Sequence, residues 1–304
     1  MPPASRRRTG SPWRTRRIAA AGPWRRVRVA PALAAPAGWL AGALVGALVG
    51  MGAPLRGHDL WLVPSSFQPA PGARISVRIL VGHGPGDGQP LAPRPGWIER
   101  FVVAGPDGVA AIAAVAGADP AGYAVVGAPG VYAVGLQSGD TLHTLAAERF
   151  ARFVAEEGLE EAAGGGFGPR TGSEAGPGAV RELFSRSVKS LVRVAEGSGP
   201  GGRLGHELEL VPLSDPSDRG SPELALRVLL RGEPAAGILV EAASLAGGAP
   251  VARAVSDRQG TVRLALPAAA ERRSWLATAV ALEAAPPGSG ADWRSLWSSL
   301  TFER

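Results

Sequence analysis

Between residues 75 and 81 the chain alternates without a break: Ile75, Val77, Ile79 and Val81 fall on one side, Arg74, Ser76 and Arg78 on the other. A period of two puts one face of a β-strand against a core and the other toward water. The same reading applies to HDLWLVP (58–64), to Trp97, Phe101 and Val103 around Glu99, to VYAVGL (131–136), to LALRVLL (224–230), and to Val262, Leu264 and Leu266. Glycine and proline punctuate these runs at PAPG (69–72), at 82–96, at GPDG (105–108) and at Pro129-Gly130. Short apolar runs between such turns predict an all-β body, and each alternating strand needs a second sheet to cover its apolar face.

The period changes at 146–163. Phe150, Phe153, Val154 and Leu159 recur near helical spacing, with Glu156, Glu157, Glu160 and Glu161 on the other side, as in a helix with one buried stripe. Glycine-rich loops follow at 164–178 and 197–202, and the segment between them, 180–194, reads as helix in its first half and strand in its second. The expected organisation is an N-terminal segment over 1–57, a β-sandwich over 58–145, a partly helical connector with a flexible loop over 146–203, and a second sandwich over 204–304. Two details colour the sandwich type. Tyr132 follows Gly130 as the corner tyrosine of immunoglobulin-like sandwiches does. The run GEPAAGILV (232–240), then DRQG (257–260) and an alternating strand, is similar to transthyretin-like sandwiches; there the Asp257 side chain can bond backbone amides two residues on.

Charge redraws the first impression. The chain has 304 residues and a net charge of +6, but residues 1–57 hold ten arginines and no acid, leaving 22 basic and 26 acidic residues beyond them. A mildly acidic body without a basic stripe excludes a nucleic-acid partner. The basic stretch to Arg28, the uncharged run over 29–55 with its most apolar part at 39–49, and the small residues Gly52, Ala53 and Gly57 have the three parts of an export signal. Arginine stays on the cytoplasmic side, so the expected location of the body is the periplasm or beyond. The segment is either cleaved or retained as an inner-membrane anchor, and it is the sole expected membrane contact. Arg16-Arg17 and Arg25-Arg26 are compatible with twin-arginine export.

The chain contains no cysteine, which removes disulfides, thiolate metal sites and a cysteine nucleophile. No Gly-x-Ser-x-Gly, His-Glu-x-x-His, P-loop or dinucleotide motif occurs, so the chain does not read as an enzyme. Its 31 arginines, one lysine and lack of asparagine suit a GC-rich coding sequence. Lys189 therefore stands where a compact ammonium is needed, or on a solvated face by chance. Trp293 and Trp297 either stack a sugar or pack the approach to the last strand.

Four histidines occur, His58, His83, His143 and His206, none at local ligand spacing. Neutral imidazole is the commonest metal ligand, so His58, His83 and His143 are the candidate metal ligands if the fold assembles them; each also reads as a surface or capping residue. His206 reads as structural. Cleavage after Gly57 would make His58 the first residue. Its α-amine and Nδ1 would then chelate together, and an imidazole from His83 or His143 would complete a Cu(II)- or Ni(II)-type tetragonal site. Cleavage elsewhere would leave His58 as a strand cap.

An ordered set of these pieces resembles one family. The pieces are HDLWLVP (58–64), PG (71–72), VG (81–82), GVY (130–132), EEGLE (156–160), RELFSR (181–186) with Lys189, ELVP (209–212) with Asp215-Pro216, and Asp292-Trp293 through Phe302. They resemble a bacterial domain-of-unknown-function family once labelled a nickel-uptake substrate-specific region, or NikM-like. The resemblance implies a periplasmic, non-enzymatic accessory protein handling a divalent nickel, cobalt or copper ion beside a membrane transporter or other envelope protein. It also singles out Asp59, Glu182 and Lys189 as candidate structural or functional residues. Members often carry a histidine near Val280, which this chain lacks. The rival expectation is a structural or interaction module of the envelope that docks a protein or glycan without metal.

Overall fold

The computed structural model describes residues 59–166, 168–170, 173–197, 199, 201–267 and 271–304, all within the compact unit Gly52–Arg304. Residues 1–57, the expected export segment, and His58 lie outside the described residues. In chain order the strands are β1 (Asp59–Pro64), β2 (Ala73–Gly82), β3 (Gln89–Pro90), β4 (Ile98–Gly105), β5 (Gly108–Ala111), β6 (Gly122–Val126), β7 (Gly130–Ser138) and β8 (Thr141–Ala146). After the helix α1 (Ala147–Glu156) come β9 (Ala179–Val194), β10 (Leu208–Pro212), β11 (Glu223–Leu230), β12 (Glu233–Pro234) and β13 (Leu239–Ser244). The last four are β14 (Ala252–Val255), β15 (Thr261–Ala265), β16 (Ser274–Ala284) and β17 (Trp293–Glu303). The body is thus mostly β. Among the described residues no helix is long and apolar enough to cross a membrane.

One nine-stranded sheet runs in the order β14-β13-β16-β17-β9-β7-β4-β5, with β8 also paired to β9. Strand β9 is its hub. β8 pairs with its first half and β7 with its second along one edge, while β17 runs parallel along the other. The other pairings are antiparallel. Alternation splits the side chains of this sheet between two cores. Tyr132, Val134, Leu136, Val188, Val192 and Val194 meet the inner face of a small sheet built on β1, β2 and β6, through Leu60, Leu62, Ile75, Val77 and Ile79. Ala133, Leu191, Leu296, Leu300 and Phe302 meet a second small sheet built on β10, β11 and β15, through Leu208, Leu210, Leu224, Leu226 and Val262. Helix α1 lays Phe150, Phe153 and Val154 against Val180, Val280, Trp293 and Trp297.

The alternation read at 75–81 is that of β2, where Ile75, Val77 and Ile79 are buried. The helix read near 146–163 is α1, with the expected Phe150, Phe153 and Val154 stripe. Two expectations are corrected. Residues 180–194 are strand throughout, because β9 is paired on both edges. Buried polar side chains at Glu182, Ser185, Ser187, Lys189 and Ser190 interrupt the apolar pattern that would have exposed its period. The stretches 58–145 and 204–304 also do not carry separate sheet systems, since β17 from the second pairs with β9, which pairs with β7 from the first.

Local turns follow the sequence closely. The Tyr132 hydroxyl donates to the Ala128 carbonyl, four residues upstream, and to Asp107, the corner geometry expected of it. The Asp257 carboxylate accepts from the amides of Gln259 and Thr261 at 2.9 and 2.8 Å.

Candidate functional site

Strand β1 opens at Asp59, which pairs with Gly82 at the end of β2, and His83 follows directly. Pro85–Asp87 form one 3-10 turn that swings Asp87 back over this end. The Asp87 carboxylate accepts from the His83 amide at 2.9 Å and sits 3.1 Å from its Nδ1. A carboxylate at Nδ1 holds the proton there and makes Nε2 the lone-pair nitrogen, as in carboxylate–histidine pairs that present an imidazole to a metal. Gly82 makes the arrangement feasible, since a Cβ there would lie 2.5 Å from Asp87 Oδ1. Asp59 and His83 share a small cleft of about 40 Å³ with Pro85, Glu241 and Thr278. Glu241, from β13, is held by Arg253 at 2.6 Å.

A second cluster lies on the face of the large sheet that α1 covers. Glu182 of β9 is 3% exposed. It accepts from Ser295 Oγ and lies 2.6 Å from His143 Nε2. Trp297 Nε1 donates to the same Ser295 hydroxyl at 2.9 Å, and the Trp297 ring stacks on Phe153 at 5.3 Å. Arg186, paired in register with Trp297, lays its guanidinium over Phe184 at 4.4 Å. Burial pushes the Arg186 pKa down to about 10 against the opposing pull of Glu182 and Asp59. The carboxylate therefore stands between serine and histidine. Nucleophile activation needs the imidazole in the middle, so this trio orders the sheet rather than arming Ser295. Trp293 and Trp297 are both buried here, stacked on Phe150 and Phe153, which is the core-packing reading of the two.

Lys189 lies on the opposite face and is 1% exposed. Its Nζ donates to Glu209 Oε1 at 2.8 Å and to the Gly202 carbonyl at 3.3 Å. Glu209 also accepts from the amides of Leu204 at 2.7 Å and Gly205 at 3.0 Å. Burial lowers the Lys189 pKa. Burial alone would raise that of Glu209, but the Lys189 charge and these bonds hold it below the ordinary carboxylate value. His206, 2% exposed, packs against Gly135, and burial pushes its pKa down to about 4. It is neutral at pH 7. This group bolts the β10 sheet to β9, and a compact ammonium is what fits it.

The candidate residues thus fall in three places. Asp59 and His83 share the β1–β2 cleft, His143 and Glu182 bind each other under α1, and Lys189 sits in an inter-sheet bolt with Glu209. His58 lies outside the described residues. Among the described residues no three histidine or acidic side chains are grouped to hold a metal ion. Of the candidate ligands, His83 and His143 each have one ring nitrogen held by a carboxylate, Asp87 and Glu182 respectively. Val280, where the resemblance implies a histidine in other members, is buried in the α1 core. Sequence reading missed Arg186, Ser295, Glu209 and Asp87. The ELVP piece containing Glu209 was visible, but its partner Lys189 is 20 positions away.

A long mixed sheet flanked by two small sheets and one helix defines a sandwich-type all-β protein. The chain belongs to the family described as a domain of unknown function, DUF4198, whose model matches residues 55–280. No curated protein matches it. Among solved structures it is similar to the BSP domain of a biofilm associated protein, with 9% identity, 79% of this chain and 29% of that chain covered, and a TM-score of 0.20. It is similar to the D00-D0 domain of intimin at 12% identity, covering 80% and 99%, with a TM-score of 0.19. A Salmonella alpha-2-macroglobulin mutant matches at 13% identity, covering 82% and 15%, with a TM-score of 0.20. The chain spans under a third of the first of these, and likenesses this distant decide neither fold nor function.

Proposed function

We propose that this chain is an exported envelope protein that binds a divalent copper or nickel ion at the start of β1 and presents it to uptake machinery. The observation that carries the reading is the Asp59–Gly82 pairing, which sets the beginning of β1 beside His83 in a shared cleft. His58 immediately precedes Asp59 in the sequence. If the leader is cut after Gly57, the α-amine and Nδ1 of His58 and Nε2 of His83 supply three nitrogens, a donor set suited to tetragonal Cu(II) or Ni(II). Asp87 fixes the His83 ring and Asp59 adds negative charge at the cleft. His143, whose Nε2 meets Glu182, lies in the other cluster under α1 and is not used in this ligand set. The resemblance to proteins once labelled for nickel uptake supports the same cargo.

N-terminal sequencing of the exported protein, followed by copper and nickel titration of wild type and His83→Ala, tests the reading. Expected are a mature chain beginning at His58, one bound ion, and a loss of affinity of about 100-fold in the variant. A mature chain starting elsewhere, or unchanged affinity in His83→Ala, overturns it. The rival reading, docking of an envelope protein or glycan without metal, is favoured by the outward face of β6, where Tyr123 and Val125 are exposed. It predicts a metal-free protein from the native compartment.

A further inference from the structure

We propose that the basic cleft at the far end of β9 is a binding site for a phosphate-type oxyanion. The cleft has a volume of about 300 Å³ and takes four arginines from four parts of the chain: Arg193 at the end of β9, Arg219 after β10, Arg272 before β16, and Arg304 after β17. Glu196 is the one acid among its described lining residues. An arginine-rich composition scatters guanidinium groups over a surface; it does not gather four of them around one concavity in a body that is acidic overall.

Two of the four are built in. Arg193 donates to both carboxylate oxygens of Asp215, at 2.6 and 2.7 Å. Asp215 is in turn fixed by the Ser217 amide and hydroxyl at 3.0 and 2.8 Å. Arg304 is 5% exposed. Its Nη2 donates to the Ser221 carbonyl, while its Nη1 finds no acceptor among the described residues. A buried guanidinium donor without an acceptor is costly, so the fold holds this charge beside the cleft at a cost. The backbone points the same way. Ala195, lining this cleft, has φ of +54°, a left-handed conformation that a residue with a Cβ adopts at an energetic cost and that collects at ligand sites. Planar guanidinium forks match the tetrahedral oxygens of phosphate or sulfate. Arg219 and Arg272 are exposed at the rim, where they would meet the ligand first.

The phosphate group could belong to a soluble compound or to a lipid headgroup, and the test separates the two. The full chain is titrated with inorganic pyrophosphate by calorimetry at about 0.15 M salt, and separately floated with phosphatidylcholine vesicles with and without phosphatidylglycerol. Each probe is repeated with R219Q/R272Q and with the control pair R94Q/R258Q, exposed arginines elsewhere. The ten leader arginines can themselves hold anionic vesicles, so dependence on Arg219 and Arg272 is the readout. Saturable pyrophosphate binding that falls about tenfold or more in R219Q/R272Q and stays unchanged in the control supports a soluble ligand. The same dependence confined to phosphatidylglycerol vesicles supports a headgroup. Binding of neither probe, or an equal loss in both double variants, overturns the proposal.

Discussion

Replacing Lys189 by methionine keeps the aliphatic stem and removes the ammonium that Glu209 Oε1 accepts from at 2.8 Å. What remains is a carboxylate 1% exposed, facing only the Leu204 and Gly205 amides. Breaking a buried ion pair by deleting one member costs about 3–5 kcal/mol, chiefly because the survivor stays charged and desolvated. Lys189→Met should therefore lower unfolding stability by that amount. Glu209→Gln added to it should recover most of the loss. The neutral amide keeps an oxygen for one of the two backbone donors and removes the stranded charge. Glu209→Leu in the same background should recover less, since it orphans two backbone N–H groups at about 1–3 kcal/mol each. Lys189→Arg retains the charge but forces a larger planar group into a sealed site, at about 1–3 kcal/mol. Urea unfolding followed by tryptophan fluorescence measures all four. A Lys189→Met midpoint within error of wild type, or a double variant no better than the single, refutes the account.

His206 gives a pH dependence. Its folded pKa near 4 lies below the ordinary histidine value of 6.5, so the unfolded chain takes up its proton first. Its contribution is fully present above pH 6.5 and is lost as pH falls toward 4, about 3 kcal/mol over that window. His206→Gln should flatten the stability profile there, with the further loss below about pH 4.5 from Glu209 intact; an unchanged slope between pH 6.5 and 4 contradicts the burial argument. Phe153→Ala opens the α1 interface beneath Trp297 and should cost about 3–5 kcal/mol, with a changed Trp297 emission; a silent variant would mean that α1 is not held by this stack. His143→Ala should cost about 1 kcal/mol, one hydrogen bond to Glu182, and leave copper and nickel affinity unchanged; a loss of affinity would return His143 to the ligand set.

Much of the fold was legible because strands with one wet face write their period directly. β2 does so through Ile75, Val77 and Ile79, and α1 through Phe150, Phe153 and Val154. Strand β9 was not legible. A strand paired on both edges and covered on both faces has no solvent side to mark its period. Its buried positions here include Glu182, Ser187, Lys189 and Ser190, each satisfied or housed by tertiary neighbours that the local sequence does not reveal. The length of the body suits two separate sandwiches, but β9 is the strand through which β7 and β17 become one sheet.

The same property explains how little of the site could be located. Polar residues in the family-like pieces divide between cleft, α1 face and inter-sheet bolt, and nothing in their spacing distinguishes the three. His83 and His143 look equivalent in sequence. In the structure one has its Nδ1 fixed by a carboxylate four residues on, in a small cleft, and the other is engaged through Nε2 by a buried carboxylate from the next strand. At His143 the carboxylate of Glu182 meets Nε2, and Ser295 is its other side-chain donor. At His83 the carboxylate of Asp87 meets Nδ1, and Nε2 is buried. Both rings are thus held by a carboxylate on one nitrogen, and what separates them is which nitrogen is held and how deeply the carboxylate is buried.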